Sequence, residues 1–183
     1  MKWIDDYSGS IFIDDKNIDS FSMKQWNTEF VPVLQETYIF EKSLNFNIAL
    51  EDDYDSYRLD KAIKFSGLSD FVLNLNNGKD TIINESASNI SGGERKRLGI
   101  ARALYREGNV LLVDESFSSL DKRTQDHIEE MLLSLTDKTI LNISHNYDEK
   151  LIKKYDYIIR FNEGRVNVYN AKDYLLNGDG NNE

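Results

Sequence analysis

The chain predicts an α/β domain built on a mainly parallel sheet. Three observations carry that expectation. Short runs of β-forming residues alternate with helix-period segments along the whole sequence, the pattern that yields parallel strands joined by helices. The run 110–113, Val-Leu-Leu-Val, is apolar throughout, as a strand buried on both faces is. The run 139–143, Thr-Ile-Leu-Asn-Ile, reads as a second buried strand, and a helical segment separates the two. At 183 residues the chain is long enough for one domain with a substantial core.

The elements follow in order. Residues 10–14, Ser-Ile-Phe-Ile-Asp, form a short strand closed by Asp15-Lys16-Asn17, and 19–26 a short helix. The β-rich run 30–34 holds the only proline, Pro32, which places it at a strand end or sheet edge. Helical spacing covers 43–49 and 56–66, the latter with Tyr57, Leu59, Ile63 and Phe65 as apolar anchors. A further short helix over 69–75 leads to a loop at Asn76-Asn77-Gly78-Lys79. The strongest helix spans 92–106, with Leu98, Ala101 and Leu104 inward and the Arg and Lys residues outward, and Gly108-Asn109 breaks it. Another helix spans 119–135, presenting Ile128, Met131, Leu132 and Leu135 on one face and leaving His127 on the surface. Runs 157–161 and 165–169 flank the hairpin turn Asn162-Glu163-Gly164, and 171–176 closes with a helix. One domain is expected over 1–176, with a helical subdomain over about 43–106 and a disordered tail at 177–183.

Composition narrows the function. The net charge of −10 argues against nucleic-acid binding, which needs clustered cations against phosphates. The absence of cysteine rules out disulfides and thiolate metal sites. No apolar stretch approaches the length that spans a bilayer and no leader pattern opens the chain, so a membrane role has to come through a partner.

Chemistry concentrates between Ile90 and Asp121. Ser91-Gly92-Gly93-Glu94 opens the 92–106 helix, where glycines let backbone amides approach an anion and the helix N-terminus favours negative charge. Asp114 and Glu115 end the 110–113 strand. Carboxylates at that end of a parallel strand face the ligand crevice of an open α/β sheet. Ser118-Ser119-Leu120-Asp121 follows, with residues suited to capping the next helix. His145 stands just past the 139–143 strand, and Gln35 just past 30–34.

In this order and spacing the segments resemble the ATP-binding domain of ABC transporters, over about 7–176. The run from Ile90 to Leu104 resembles the family's signature motif and its helix, with glutamate at position 94 where glutamine is more usual. The resemblance implies a P-loop NTPase-like fold with a helical signature subdomain, and ATP with Mg²⁺. Its working form is a head-to-tail dimer with a second ABC ATP-binding domain. In that arrangement Ser91, Gly92, Gly93 and Glu94 meet the γ-phosphate held by the opposite subunit. Asp114 holds Mg²⁺ and Glu115 polarises the attacking water. Asp121 belongs to a loop that crosses the dimer interface, His145 contacts the γ-phosphate, and Gln35 senses Mg²⁺ and the transmembrane partner. Thr81 and Glu85 stand at the spacing of the exporter-type loop that meets the membrane domain, with Asn84 and Ala87 where glycines are usual. The implied location is the cytoplasmic face of the cell membrane, held there by the transporter's transmembrane domain without direct insertion.

One family element is missing from the sequence: no Gly-x-x-x-x-Gly-Lys-Ser/Thr phosphate loop occurs in it. The family's opening strands, phosphate loop and its helix are expected to be absent, and the chain is read as a fragment. The missing strand lies beside 139–143 in the family, so that strand is expected to lack cover, and the isolated chain to bind ATP weakly. Two alternatives stand beside an exporter ATPase. One is a non-catalytic remnant or degenerate member of a heterodimer. The other is an ABC ATPase of non-transport type, against which the single short acidic chain speaks.

Overall fold

The computed structural model describes residues 8–34, 36–84, 89–114, 121–144 and 148–176. A small hairpin comes first, β1 (Phe12–Ile13) with β2 (Lys16–Asn17), so the strand expected over 10–14 is shorter and turns back on itself. A 3₁₀ turn (Ile18–Ser20) and α1 (Met23–Glu29) occupy the expected 19–26 helix and extend it; Ser22 starts α1 with a capping box to Gln25. Next come β3 (Phe30–Val33), β4 (Lys42–Ser43), α2 (Leu44–Ala49), α3 (Ser56–Phe65), α4 (Ser69–Leu73) and β5 (Ile82–Ile83). The long helix α5 (Gly92–Tyr105) precedes β6 (Val110–Asp114). The chain continues with α6 (Lys122–Leu133), β7 (Thr139–Ile143), α7 (Glu149–Ile152), β8 (Tyr157–Asn162), β9 (Arg165–Asn170) and α8 (Ala171–Leu176).

The centre is a parallel sheet in the order β3-β6-β7. Its register sets Val33 against Val113 and Asp114 against Ile143, so the three carboxyl ends are level. Pro32 sits on β3, an edge strand among the described residues, where a missing N–H costs no ladder bond. β4 pairs with β5, and β8 with β9, in separate two-stranded antiparallel sheets.

Two apolar cores meet along α5. One is helical, with Leu44, Ile48, Leu59, Leu68, Leu98 and Ala101 among its members. The other lies against the sheet and joins Ile100 and Ala103 of α5 to Val31, Val33, Leu111, Val113, Ile128 and Leu132. A helix with apolar residues on two faces belongs between two layers.

Burial departs from expectation at three places. Leu111 and Val113 are fully buried, but Val110 and Leu112 are only half covered, so β6 is packed tightly on one face. β7 is not the buried strand its composition suggests, in keeping with the other expectation that 139–143 lacks cover: Leu141 is 52% exposed and Ile143 55%. A parallel sheet needs both faces covered, and among the described residues the outer face of β7 is open. In α3, Tyr57 points outward at 79% exposure, because Leu59, Ala62 and Ile63 form the face that meets the core.

Candidate functional site

The signature segment folds as a closed N-terminal cap. Ser91 adopts an extended backbone and its Oγ accepts from the Glu94 amide at 3.3 Å. Glu94 Oε2 accepts in return from the Ser91 amide at 2.8 Å and from the Ser91 hydroxyl at 2.6 Å. The Ser-x-x-Glu spacing dictates this reciprocal arrangement. It leaves the first-turn amides of Gly92 and Gly93 without intrahelical acceptors. A methyl group added at Gly92 would meet nothing within 4 Å. Packing inside this chain therefore does not demand a glycine there.

The residues after β3 hold α5 in place. Gly99 lets this segment come close: a Cβ there would lie 2.4 Å from Thr37 Oγ1. Arg102 donates from Nε to Asn47 O at 2.9 Å and from a terminal nitrogen to Tyr38 O at 3.0 Å. Burial lowers its guanidinium to about 10. Burial also lowers the Lys96 ammonium, and the opposing charge of Glu36 partly restores it. Asn47 is fully buried and bonds the backbone on both sides. Its Oδ1 accepts from Phe40 N at 2.8 Å, and its Nδ2 donates to Phe40 O at 2.9 Å and Ser43 O at 3.1 Å.

At the other part of the site, Asp114 is exposed at the carboxyl end of β6, level with the ends of β3 and β7. Gln35, Glu115 and His145 lie outside the described residues, as do Ser118, Ser119, Glu85 and Ala87. Each of the first three follows one strand of the level rim by one or two positions. The short connection 106–109 makes α5 and β6 run in opposite directions. Asp121 caps α6 by accepting from the Thr124 amide at 3.0 Å, and the bonds from Thr124 hold its carboxyl below the usual carboxylate value. Among the described residues no group of three or more His, Cys, Asp or Glu side chains could hold a metal. An exposed strand-end aspartate suits Mg²⁺, which takes one or two carboxylates and keeps several waters.

Sequence reasoning missed two arrangements. Glycine in the interior of a helix marks close packing, so Gly99 was a readable signal. Asn142 inside an apolar strand was the other: its Nδ2 donates to Tyr155 Oη and to Glu129 Oε1, and Tyr155 Oη donates to the same Glu129 oxygen at 2.6 Å. Glu129 is 2% exposed, so this cluster ties α6, β7 and the turn between α7 and β8 together in a buried setting.

Comparison with known proteins agrees with this arrangement. The sequence profile of the ABC transporter family matches residues 1–118. The ATP-dependent lipid A-core flippase of Vibrio parahaemolyticus serotype O3:K6 (strain RIMD 2210633) is 36% identical over 162 residues, which is 87% of this chain and 28% of the relative. The flippase of the same description from Coxiella burnetii (strain RSA 493 / Nine Mile phase I) is 33% identical over 182 residues, 98% of this chain and 31% of its own. A solved structure described as a bacterial Atm1-family ABC exporter with ATP bound superposes with a TM-score of 0.80 at 28% identity, covering 93% of this chain and 30% of that one. The chain thus spans less than a third of the length of these proteins. With the capped Ser-Gly-Gly helix and the level strand ends already in place, these matches make the chain a member of the ABC transporter family with the fold of an exporter ATP-binding domain.

Proposed function

We propose that the chain is the ATP-binding part of an ABC exporter and works in a head-to-tail pair with a second ATP-binding domain, coupling ATP hydrolysis to transport through a transmembrane domain. The observation that carries this reading is the level rim of β3, β6 and β7, followed at once by Gln35, Glu115 and His145, together with the capped Ser91-Gly92-Gly93 helix end. ATP supplies the phosphoryl group that is transferred to water. Ser91 and the amides of Gly92 and Gly93 would bind the γ-phosphate of nucleotide held by the partner. To donate there, the Ser91 hydroxyl has to turn away from Glu94, its present acceptor. Asp114 would hold Mg²⁺ through water, with Gln35 beside it. Glu115 would take the proton of the attacking water, and His145 would steady the γ-phosphate. Asp121 would set the loop that crosses between the two domains. Among the described residues no helix is long and apolar enough to cross a membrane, so contact with the membrane's inner face would run through the transmembrane domain.

The missing phosphate loop favours a second reading. A chain with no Gly-Lys-Ser/Thr cradle has no lysine or nested amides for the β- and γ-phosphates, and as a fragment of a longer protein it would depend on residues supplied elsewhere. It would then serve as a degenerate half of a heterodimer, offering its signature segment to an intact partner, or as a remnant without activity. Calorimetric titration with Mg-ATP separates these readings. The chain alone should show no micromolar binding; added to an intact exporter ATP-binding domain, it should tighten that domain's affinity for ATP. Micromolar binding by the chain alone would refute dependence on an outside phosphate cradle. An unchanged affinity of the partner would leave the remnant reading standing.

A further inference from the structure

The first turn of α5 carries a charge that its cap does not need. A second box of the same kind starts α1 and serves as an internal control. There Gln25 Oε1 accepts from the Ser22 amide at 2.9 Å and from the Ser22 hydroxyl at 2.8 Å, and the Gln25 amide donates back to Ser22 Oγ at 3.3 Å. At α5, Glu94 Oε2 makes the same two bonds to Ser91 at 2.8 and 2.6 Å, with the same 3.3 Å return bond. A neutral amide therefore closes such a box as fully as a carboxylate does. What glutamate adds is a negative charge beside the outward amides of Gly92 and Gly93, and no ion pair among the described residues offsets it. The Ser91 hydroxyl has a single hydrogen, and Glu94 holds it. A phosphate oxygen that took this hydrogen would sit about 2.7 Å from Ser91 Oγ, hence within roughly 5 Å of the carboxylate it displaced. Like charges at that distance repel appreciably even in water.

We propose, on the reading that this helix end closes over nucleotide bound to another ATP-binding domain, that Glu94 sets the strength of the closure: its carboxylate competes with the terminal phosphate for the Ser91 hydroxyl and repels it, so docking is weaker than a glutamine-closed box would give. The same charge has the opposite value for the free chain, because an acid in the first turn stabilises a helix. Glu94 thus sets stability of the helix against affinity for the triphosphate. Loss of a merely structural residue would lower both.

Titration of an intact exporter ATP-binding domain with Mg-ATP, in the presence of the wild-type chain or of Glu94→Gln, tests this. Glu94→Gln should tighten the partner's affinity about tenfold beyond wild type at about 0.05 M salt. The gain should shrink to about twofold or less near 1 M, where the screening length is ~3 Å. With Mg-ADP, which has no third phosphate, the two chains should behave alike. Chemical denaturation of each chain alone should show Glu94→Gln no more stable than wild type. If wild type tightens the partner's affinity and Glu94→Gln does so equally or less, Glu94 loses this role while the docking of the helix end on nucleotide stands. A gain that ignores salt, that appears with Mg-ADP, or that comes with a more stable chain would also overturn the proposal. If neither chain changes the partner's affinity, the docking itself is refuted and the role of Glu94 falls with it.

Discussion

Single residues hold the signature helix where it is. Gly99→Ala would drive a methyl into Thr37, which is itself buried. Overpacking of this kind costs about 1–3 kcal/mol; chemical denaturation should show that loss, with a control at exposed Gly92→Ala changing much less. Asn47→Ala would leave the Phe40 amide and carbonyl without the partners they now have. Each such bond contributes about 0.5–1.5 kcal/mol net, so a loss of about 1–3 kcal/mol is expected in the same measurement. Tyr155 supplies a pH test. Burial first, and then the bond to Glu129, raise its phenol well above the usual 10. A group raised on folding lends stability that is complete below its unfolded value and disappears as pH climbs through the folded one. Denaturation should therefore show wild type losing its advantage over Tyr155→Phe as pH rises above about 10. An advantage that stays constant across that range would remove Tyr155 from the buried network.

At the scale of elements, much of the chain was legible because local chemistry and tertiary packing agree. Ser91 with Glu94 three residues later starts α5 where the cap demands, and Asp121 does the same for α6. The Asp121 cap has its own acid test. Its carboxyl is held below the usual value, so its contribution is present above about 4 and fades as pH falls through the folded value. The protection of the Thr124 amide, its exchange measured against the intrinsic rate at each pH, should fall in that acid range, and Asp121→Asn should blunt the change. Where reading failed, neighbours decided. Tyr57 looked like an anchor from its place in an apolar pattern, yet α3 turns Leu59, Ala62 and Ile63 toward α5 and leaves Tyr57 in water. β7 was expected to be buried from its composition, but strand burial depends on what lies alongside, and β6 covers only one of its edges. The composition of 139–143 does not report whether a neighbour is present; the expectation that this strand lacks cover comes instead from the absent phosphate-loop motif.

At the scale of the whole molecule, the arrangement rests on α5 spanning two cores and on the close approach at Gly108. A Cβ there would lie 2.4 Å from Val31 and 2.9 Å from the Glu29 and Thr28 carbonyls, so Gly108→Ala has backbone in its way and should be among the most damaging small substitutions. The family was readable in motifs from Ile90 to Asp121, because phosphate chemistry imposes fixed residue types at fixed spacing. The buttressing of α5 by 36–40 was not, since those contacts join residues some 60 positions apart, as Arg102 and Tyr38 show with a separation of 64. The central claim is that Ser91-Gly92-Gly93 closes over nucleotide bound to another ATP-binding domain. The chain has no cysteine, so Gly92→Cys introduces a single thiol. Mixed with an intact exporter ATP-binding domain carrying one cysteine in its phosphate loop, it should form an interdomain disulfide when Mg-ATP is present and little without it. A cross-link yield that ignores ATP, or the absence of any cross-link while the two domains are otherwise bound, would contradict the account.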